Sequence, residues 1–431
     1  MISRYKPISI SLSPNVEKDD LRLALNLIIR PWLWKRGKGI GELENEFKKY
    51  FGVNPVRKSF SNGVKYAVSF NSGRSALYAI LKSLEIEKGS EILLQAFTCN
   101  AVPNPVLWAD FEPVYVDCNE DNFNINIEDL KKKIAKKPNA KILIVQHTFG
   151  LPANMDELSF IVRQYGLILI EDCAHSLGAE WKNQKVGTFG KAAFFSFSRD
   201  KVISSVYGGM AVTNDPSLAE KLRQTQDEFG YPNSLWTLQQ IFHPIFLNYI
   251  ILPIYNFLDL GKIFLVLSQW LHILSKAVHW KEKRGLRPDY FPRALPNAMA
   301  IMAQNQFNKL DKFYNHRKKI FEYYRENLKN TQFVLPTENS QSKPIYLRFT
   351  VKHPKAHEII YDAWHKQNIL LGDWYTTPIA PFDTKLDQMK YKKGMCPTAE
   401  KLSNETLNLP THINISQKSA EKIVKFLKTW N

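Results

Sequence analysis

Cysteine is scarce and scattered. Cys99, Cys118, Cys173 and Cys396 are the four in 431 residues, and no two stand at CxxC spacing. That excludes a disulfide framework and a zinc site as organising devices, so no metal is expected and a reducing compartment is. Acid is in deficit: 41 Asp and Glu stand against 58 Lys and Arg, a net charge of +17. Such a surplus fits nucleic acid, anionic lipid, phosphorylated substrates, or a surface that is merely soluble. The lysines are not gathered into blocks, so no nucleic-acid partner is expected. The opening MISRYKPISISLSPN lacks an apolar h-region, so no signal peptide is expected and a cytoplasmic placement is. Ile241 to Leu258 runs 18 residues without acid, lysine or arginine, but Pro244 and Pro253 interrupt it, which disfavours a straight membrane-spanning helix.

What is present is length enough for two or three domains and a clear alternation. Leu21, Leu25 and Ile28, then Leu43, Phe47 and Phe51, recur at helical spacing, with Pro31 and Gly37, Gly39 and Gly41 between the groups. NPVRKSFSNGV, residues 54–64, interrupts what would otherwise read FGVKYAVSF, and is expected to be an inserted polar loop without chemistry. From Tyr66 to about residue 225, seven short apolar runs (YAVSF, EILLQAF, PVYVD, KILIVQH, LILIED, AAFFSFS, GMAVTN) alternate with helical stretches such as Arg74–Leu84 and Met155–Tyr165. That pattern predicts an α/β domain with a mostly parallel, buried sheet, in which ligands bind at the carboxyl ends of the strands.

Residues 234–278 are the most apolar part of the chain, and the basic run HWKEKRGLR follows. Two readings stay open: packing within the protein or at a subunit interface, and a helical hairpin lying in a membrane interface with the basic run on anionic headgroups. From Met299 the periodicity predicts one long amphipathic helix, then a smaller α+β region with strands in PIYLRFTV and NILLGDW and a terminal helix in SAEKIVKFLKTW.

Chemistry concentrates in two stretches. LILIEDCAH puts Asp172 at the end of a buried strand, where a carboxylate is costly without a cation. A protonated pyridine nitrogen is a suitable partner. FFSFSRDKVISSVYGGMAV puts Lys201 after another strand, and a lysine in a partly apolar pocket loses pKa and condenses with aldehydes. The pair is the minimum that pyridoxal 5'-phosphate requires. Ser72, Gly73 and Arg74, at a strand-to-helix turn, and Ser196 can supply a phosphate cup. From spacing alone the plainer readings come first: Lys201 as a loop lysine with no role, Asp172 as a salt-bridged strand-end acid, and His175 as a hydrogen-bonded core histidine.

The order acid-x-Ala-His in IEDCAHSLGA, then Gly-x-x-Gly in VGTFGK, then Phe-Ser-Phe-x-x-x-Lys, then Gly-Gly resembles the signature of the DegT/DnrJ/StrS family of sugar aminotransferases. FNSGRSALYAIL, LQAFTCNAVPNPV, QHTFGLPANMD and CPTAEKLSNETLNLPTH extend the resemblance over roughly residues 20–230 and 290–431, leaving the apolar segment and the 54–64 loop outside it. The resemblance implies a fold-type I pyridoxal-phosphate enzyme with a large domain (1–310, carrying a seven-stranded sheet and an apolar helical insertion at about 235–280) and a small C-terminal domain (311–431). It implies amino transfer, usually from glutamate, to a nucleotide-linked keto sugar for surface polysaccharide or related synthesis. A homodimer with shared active sites is implied too.

By the same resemblance Lys201 is the Schiff-base lysine and proton carrier, and Asp172 keeps the ring nitrogen protonated. Ala174 lies on one ring face, His175 sits near the ring hydroxyl, and Ser196 with the Ser72–Arg74 turn binds the phosphate. Three positions depart from the pattern. Cys99 stands where the family places a stacking aromatic, so Phe97 is expected to stack instead. Arg293 in PRALPNA is an approximate match to an Arg-Met-Ser region. Arg74 replaces a small residue or Thr and is expected to add a cation near the phosphate. Trp374 and Tyr375 in LLGDWYTTP are expected to line the sugar pocket. A related dehydratase would carry His in place of Lys201. A non-catalytic member of the fold, using the basic surface or the apolar segment for binding, is the reading from another class. A peripheral position on the inner membrane surface is expected if that segment meets lipid.

Overall fold

The computed structural model describes residues 5–52 and 63–430, so the 54–64 loop falls almost wholly outside the described residues. β1 (Tyr66–Phe70), β2 (Glu91–Gln95), β3 (Glu112–Val116), β4 (Ile142–Gln146), β5 (Ile168–Asp172), β6 (Ala192–Ser196) and β7 (Gly209–Thr213) form one sheet in the order β1-β7-β6-β5-β4-β2-β3. Only β7 runs antiparallel to its neighbours. Each strand ends within two residues of its apolar run. The runs are apolar throughout because both faces are covered. Phe194 and Ile170 enter one core, Ala193 and Phe195 a second, and Leu169 and Leu143 a third.

Past the sheet, a helix over Leu310–Leu328 opens a smaller α+β region. Its strands β8 (Arg348–Lys352) and β9 (Thr406–Pro410) pair antiparallel, packed by helices Ala356–Gln367 and Gln417–Leu427. The first strand of the chain belongs to this region: Ile8–Ser9 pairs parallel with Ile369–Leu370.

Two expectations are corrected. The helix over Lys18–Ile28 buries Leu21, Ala24 and Leu27 and leaves Leu25 exposed, because the small Ala24 lets the helix sit close to the helix over 234–246. The long helix expected from Met299 is two helices, Asn297–Phe307 and Leu310–Leu328. The break falls at Lys309, whose ammonium is drawn to Glu17, Asp19 and Asp20 at 3.4, 2.8 and 2.9 Å.

Three helices matter for the site: α1 (Gly73–Ser83), α2 (Ser234–Phe246) and α3 (Leu260–Trp270). Pro244 lies inside α2, and the chain then passes through short irregular turns, including Pro253, before α3. Leu247, Ile251, Tyr255 and Leu274 form a small core of their own. Gly261 brings α3 onto it, since a Cβ there would fall 2.4 Å from the Tyr255 Cα. The outer face of α3 stays in solvent, with Val266 66% and Trp270 72% exposed. Among the described residues no helix is long and apolar enough to cross a membrane.

Candidate active site

The two acids that end β5 point to opposite sides of the sheet, as strand geometry requires. Glu171 is wholly buried and accepts N–H bonds from Gly187, Phe189 and Gly190 at 2.7, 2.7 and 2.8 Å, with His147 Nε2 at 3.2 Å. It therefore fastens the Gly-x-x-Gly turn. That turn needs glycine at 190, where a Cβ would meet the Leu169 carbonyl at 2.7 Å. His147, Glu171 and Cys173 bring possible ligand atoms within 4.8 Å of one another, but both carboxylate oxygens and His147 Nδ1 already accept backbone N–H bonds.

Asp172 faces the other way, into a cavity of about 480 Å³ at the strand ends. It accepts the Ala174 N–H at 2.9 Å and makes no ion pair among the described residues. Burial pushes its carboxyl up to about 6, against the pull of that N–H and of the Lys201 and His147 charges. Lys201 lines the same cavity with no acid in contact, its Nζ 4.4 Å from the Trp374 ring centroid. Burial pulls its ammonium pKa down, only partly offset by Asp200. The structure thus gathers a carboxylate lacking a cation and a lysine lacking an acid around one space.

The phosphate end is built by close approach. Ser72 caps α1, its Oγ accepting the Ser75 N–H at 3.0 Å, so it does not itself line the cavity; Gly73 and Ser196 do. A Cβ on Gly73 would meet the Ser196 Cβ at 3.0 Å, and one on Gly209 the Ser72 carbonyl carbon at 2.4 Å. The Gly-Gly after Lys201 is needed so that β7 can pass directly beneath the α1 turn. His175 is buried, its Nδ1 accepting the Phe149 N–H at 3.2 Å, its ring stacked 5.0 Å from Trp374. Burial, with the charges of Lys201 and Arg348, holds it neutral.

Three assignments change. Phe97 does not line the cavity; it sits behind Tyr375 in the core, ring centroids 5.4 Å apart. Cys99 does line it, and Trp374 and Tyr375 supply the aromatic surface. Arg293 lies away from the cavity, donating to the carbonyls of Phe229 and Asp289. Arg74 reaches the cavity wall, but its guanidinium is paired with buried Glu282, so it adds no free charge.

Several participants escape a reading by motif. Asn15 donates to the Lys201 carbonyl at 2.6 Å and accepts from Arg317 at 2.8 Å, so the N-terminal segment fixes the lysine's backbone. Arg348 lies 3.2 Å from the Trp374 centroid and bonds Asp200 at 2.9 Å. Its one signal was a charge inside an otherwise apolar strand. The largest omission is the share taken by the apolar segment: Leu247, Leu265, Gln269, Lys276 and Val278 all line the cavity.

The sequence pattern of the DegT/DnrJ/EryC1/StrS aminotransferase family matches residues 15–236 and 290–428, which leaves 237–289 between the matched blocks. The GDP-perosamine synthase of Escherichia coli O157:H7 is 31% identical over 190 residues, 44% of this chain and 49% of that one. The UDP-N-acetyl-3-dehydro-alpha-D-glucosamine 3-aminotransferase of Acidithiobacillus ferrooxidans is 26% identical over 368 residues, 85% of each chain. Against the first curated relatives it matches, the chain spans about half their length, 51%, 49% and 55%. Among solved structures, Helicobacter pylori PseC, an aminotransferase involved in the biosynthesis of pseudoaminic acid, superposes with a TM-score of 0.73 at 21% identity, covering 98% of this chain and 99% of that one.

Proposed function

The chain belongs to the DegT/DnrJ/EryC1/StrS aminotransferase family, and from that premise we propose that it moves an amino group from an amino acid, glutamate by our inference, to a nucleotide-linked keto sugar, with pyridoxal 5'-phosphate as cofactor. One observation carries the reading: Asp172 and Lys201 face one cavity, and neither has a counter-ion among the described residues.

The residues present fit the cofactor. A carboxylate raised by burial wants a cation, which a pyridinium N–H supplies. The α1 N-terminus with Ser196 suits a phosphate. When bound, the cofactor supplies an electron sink for charge developing at the substrate carbon. The protein's share is acid–base work and exclusion of water. Lys201 Nζ, its pKa lowered by burial, takes up and delivers the proton that moves between carbon atoms. Asp172 would hold the ring nitrogen's proton in place. Neutral His175, oriented by the Phe149 N–H, would sit near the ring hydroxyl. Trp374 and residues of the apolar segment line the same space and narrow its access to solvent.

A lysine at 201 speaks against the dehydratase reading, and the intact Asp172, Lys201 and Ser196 set speaks against a non-catalytic member. The visible absorption spectrum is the deciding experiment. A band present in the purified protein, absent from Lys201→Ala and shifted by glutamate, supports cofactor, lysine and donor together. A protein that stays colourless with added pyridoxal phosphate overturns the enzyme reading. A panel of nucleotide-linked keto sugars then identifies the acceptor.

The proposal has further parts: a large domain to about residue 310 and a small one after it, a homodimer, and a cytoplasmic protein touching an anionic membrane. Leu258, Val266, Trp270 and Leu271 are exposed, the basic residues Lys276, Lys281, Arg284 and Arg287 follow them in sequence, and this combination supports the last part. Flotation with phosphatidylglycerol vesicles tests it, and equal recovery with neutral vesicles counts against it. Light scattering on a sizing column tests the dimer.

A further inference from the structure

Two arginines line the cavity, and their charges have different fates. Arg74 is paired with Glu282. Arg199 has no carboxylate partner among the described residues. Its Nη2 donates to Ser275 Oγ at 2.5 Å, and its Nε, shielded from solvent, meets no acceptor. The acid beside it in sequence, Asp200, is engaged by Arg348 at 2.9 Å. A guanidinium does not shed its proton, and one half-buried without a counter-ion, its Nε cut off from water and from any acceptor, is a ready receptor for an anion.

The surroundings hold this guanidinium in place. It lies 5.5 Å from the Tyr207 ring centroid. Ser275 Oγ in turn donates to Gln240 Oε1 at 2.7 Å. The Tyr207 hydroxyl donates to the Lys276 carbonyl, and Arg74 Nη2 to the Ala277 carbonyl at 3.5 Å. Three consecutive residues, Ser275 to Ala277, are thus strapped across the phosphate end by three donors from the sheet side. All three residues belong to the segment that the family pattern skips. Ser196, Ser198 and Gly73 line the same cavity, so donors of the kind that bind phosphate share it with Arg199.

We propose that Arg199 is a receptor for a phosphoryl anion entering the cavity, positioned by the Ser275–Ala277 strap of the inserted segment. The proposal rests on the functional reading only in assuming that a phosphorylated compound enters. That anion has two sources, the cofactor's phosphate and the diphosphate of a nucleotide sugar, and the experiment separates them.

Full-length protein stripped of cofactor is titrated with pyridoxal phosphate, pyridoxal, uridine diphosphate and inorganic pyrophosphate, following tryptophan fluorescence, for wild type, Arg199→Met and Arg199→Lys. The expected result is a loss of about tenfold to a hundredfold in pyridoxal-phosphate affinity for Arg199→Met, the range for a charge-assisted hydrogen bond. Pyridoxal affinity stays unchanged, and Arg199→Lys recovers part of the loss. If uridine diphosphate weakens instead, the receptor serves the nucleotide and the proposal stands. Unchanged affinity for every phosphorylated probe overturns it, and so does an equal loss for pyridoxal. If Arg199→Met fails to fold, Ser275→Ala decides. A selective few-fold loss for phosphorylated probes supports the proposal, and no change overturns it. If wild type binds no pyridoxal phosphate, the functional reading fails on its own, and the pyrophosphate titration still decides for Arg199.

Discussion

Two walls line one cavity, and they are built by different rules. The strand-end wall carries Asp172, Ser196 and Gly73, placed by sheet register and by glycines that permit close approach, and Lys201, whose backbone Asn15 holds. The second wall comes from residues 237–289. It is made of short helices and irregular turns with a small core of its own, and side-chain hydrogen bonds hold it down. In the proposed function the first wall supplies the reactive groups. The second completes the lining and offers a surface to the outside. The contrast shows that a family's chemistry can stay on its sheet while a chain rebuilds what encloses it.

The largest expected effect belongs to the first wall. Lys201→Ala should lower turnover by about 10³-fold or more, at the upper end of what one proton-transferring group supplies, with thermal stability little changed. A comparable loss from a residue of the second wall would erase the division of labour. The joint between the walls comes next. Glu282→Gln leaves the buried Arg74 guanidinium uncompensated and should cost about 3 kcal/mol in urea unfolding. An unchanged midpoint would mean the pair is not a structural tie.

A pH effect of similar size comes from Asp172, opposite in sign to that of the buried histidines His175, His243 and His412. Its carboxyl stands at about 6 in the folded, cofactor-free chain against an ordinary 3.8, so the folded state binds that proton more tightly than the unfolded state. The stability it contributes is fully present below pH 4 and is lost as pH rises through 6, about 3 kcal/mol at ~1.4 kcal/mol per pKa unit. Asp172→Asn should remove that contribution, so that the variant gains stability relative to wild type as pH rises from 4 to 7, as read by urea unfolding of both at several pH values. The smallest effect is expected at the strap. Tyr207→Phe removes one hydrogen bond to the Lys276 carbonyl, worth about 1 kcal/mol. It should raise amide exchange in residues 275–278 and leave the sheet's exchange alone.

The strand-end wall was legible because its signals are local. Seven apolar runs announce seven buried strands, and an acid or a lysine at a run's end announces a site. The glycines of Gly-x-x-Gly and Gly-Gly mark places where a Cβ has no room. Legibility failed where a residue's role is set by a distant partner. Nothing near Glu171 says that it serves the turn at 187–190 while its neighbour serves the cavity. Phe97 carries the aromatic character expected of a stacking residue, yet Tyr375, from 278 positions later, stands in front of it. Asn15 and Arg348 reach Lys201 and Trp374 only through the fold. The apolar segment was visible as an insertion, but its sequence could not say that one edge of it would face the cavity.

The pairing of Ile8–Ser9 with Ile369–Leu370 has a consequence for how the molecule is made. A strand that emerges first has to wait for a partner some 360 residues later, on the order of tens of seconds at ribosomal speed. Asn15, just beyond that strand, bonds both the Lys201 carbonyl and Arg317 of the late region. The sheet can therefore form on the ribosome before Arg317 and Ile369–Leu370 are made, while the segment that holds the Lys201 backbone is anchored only once they have emerged.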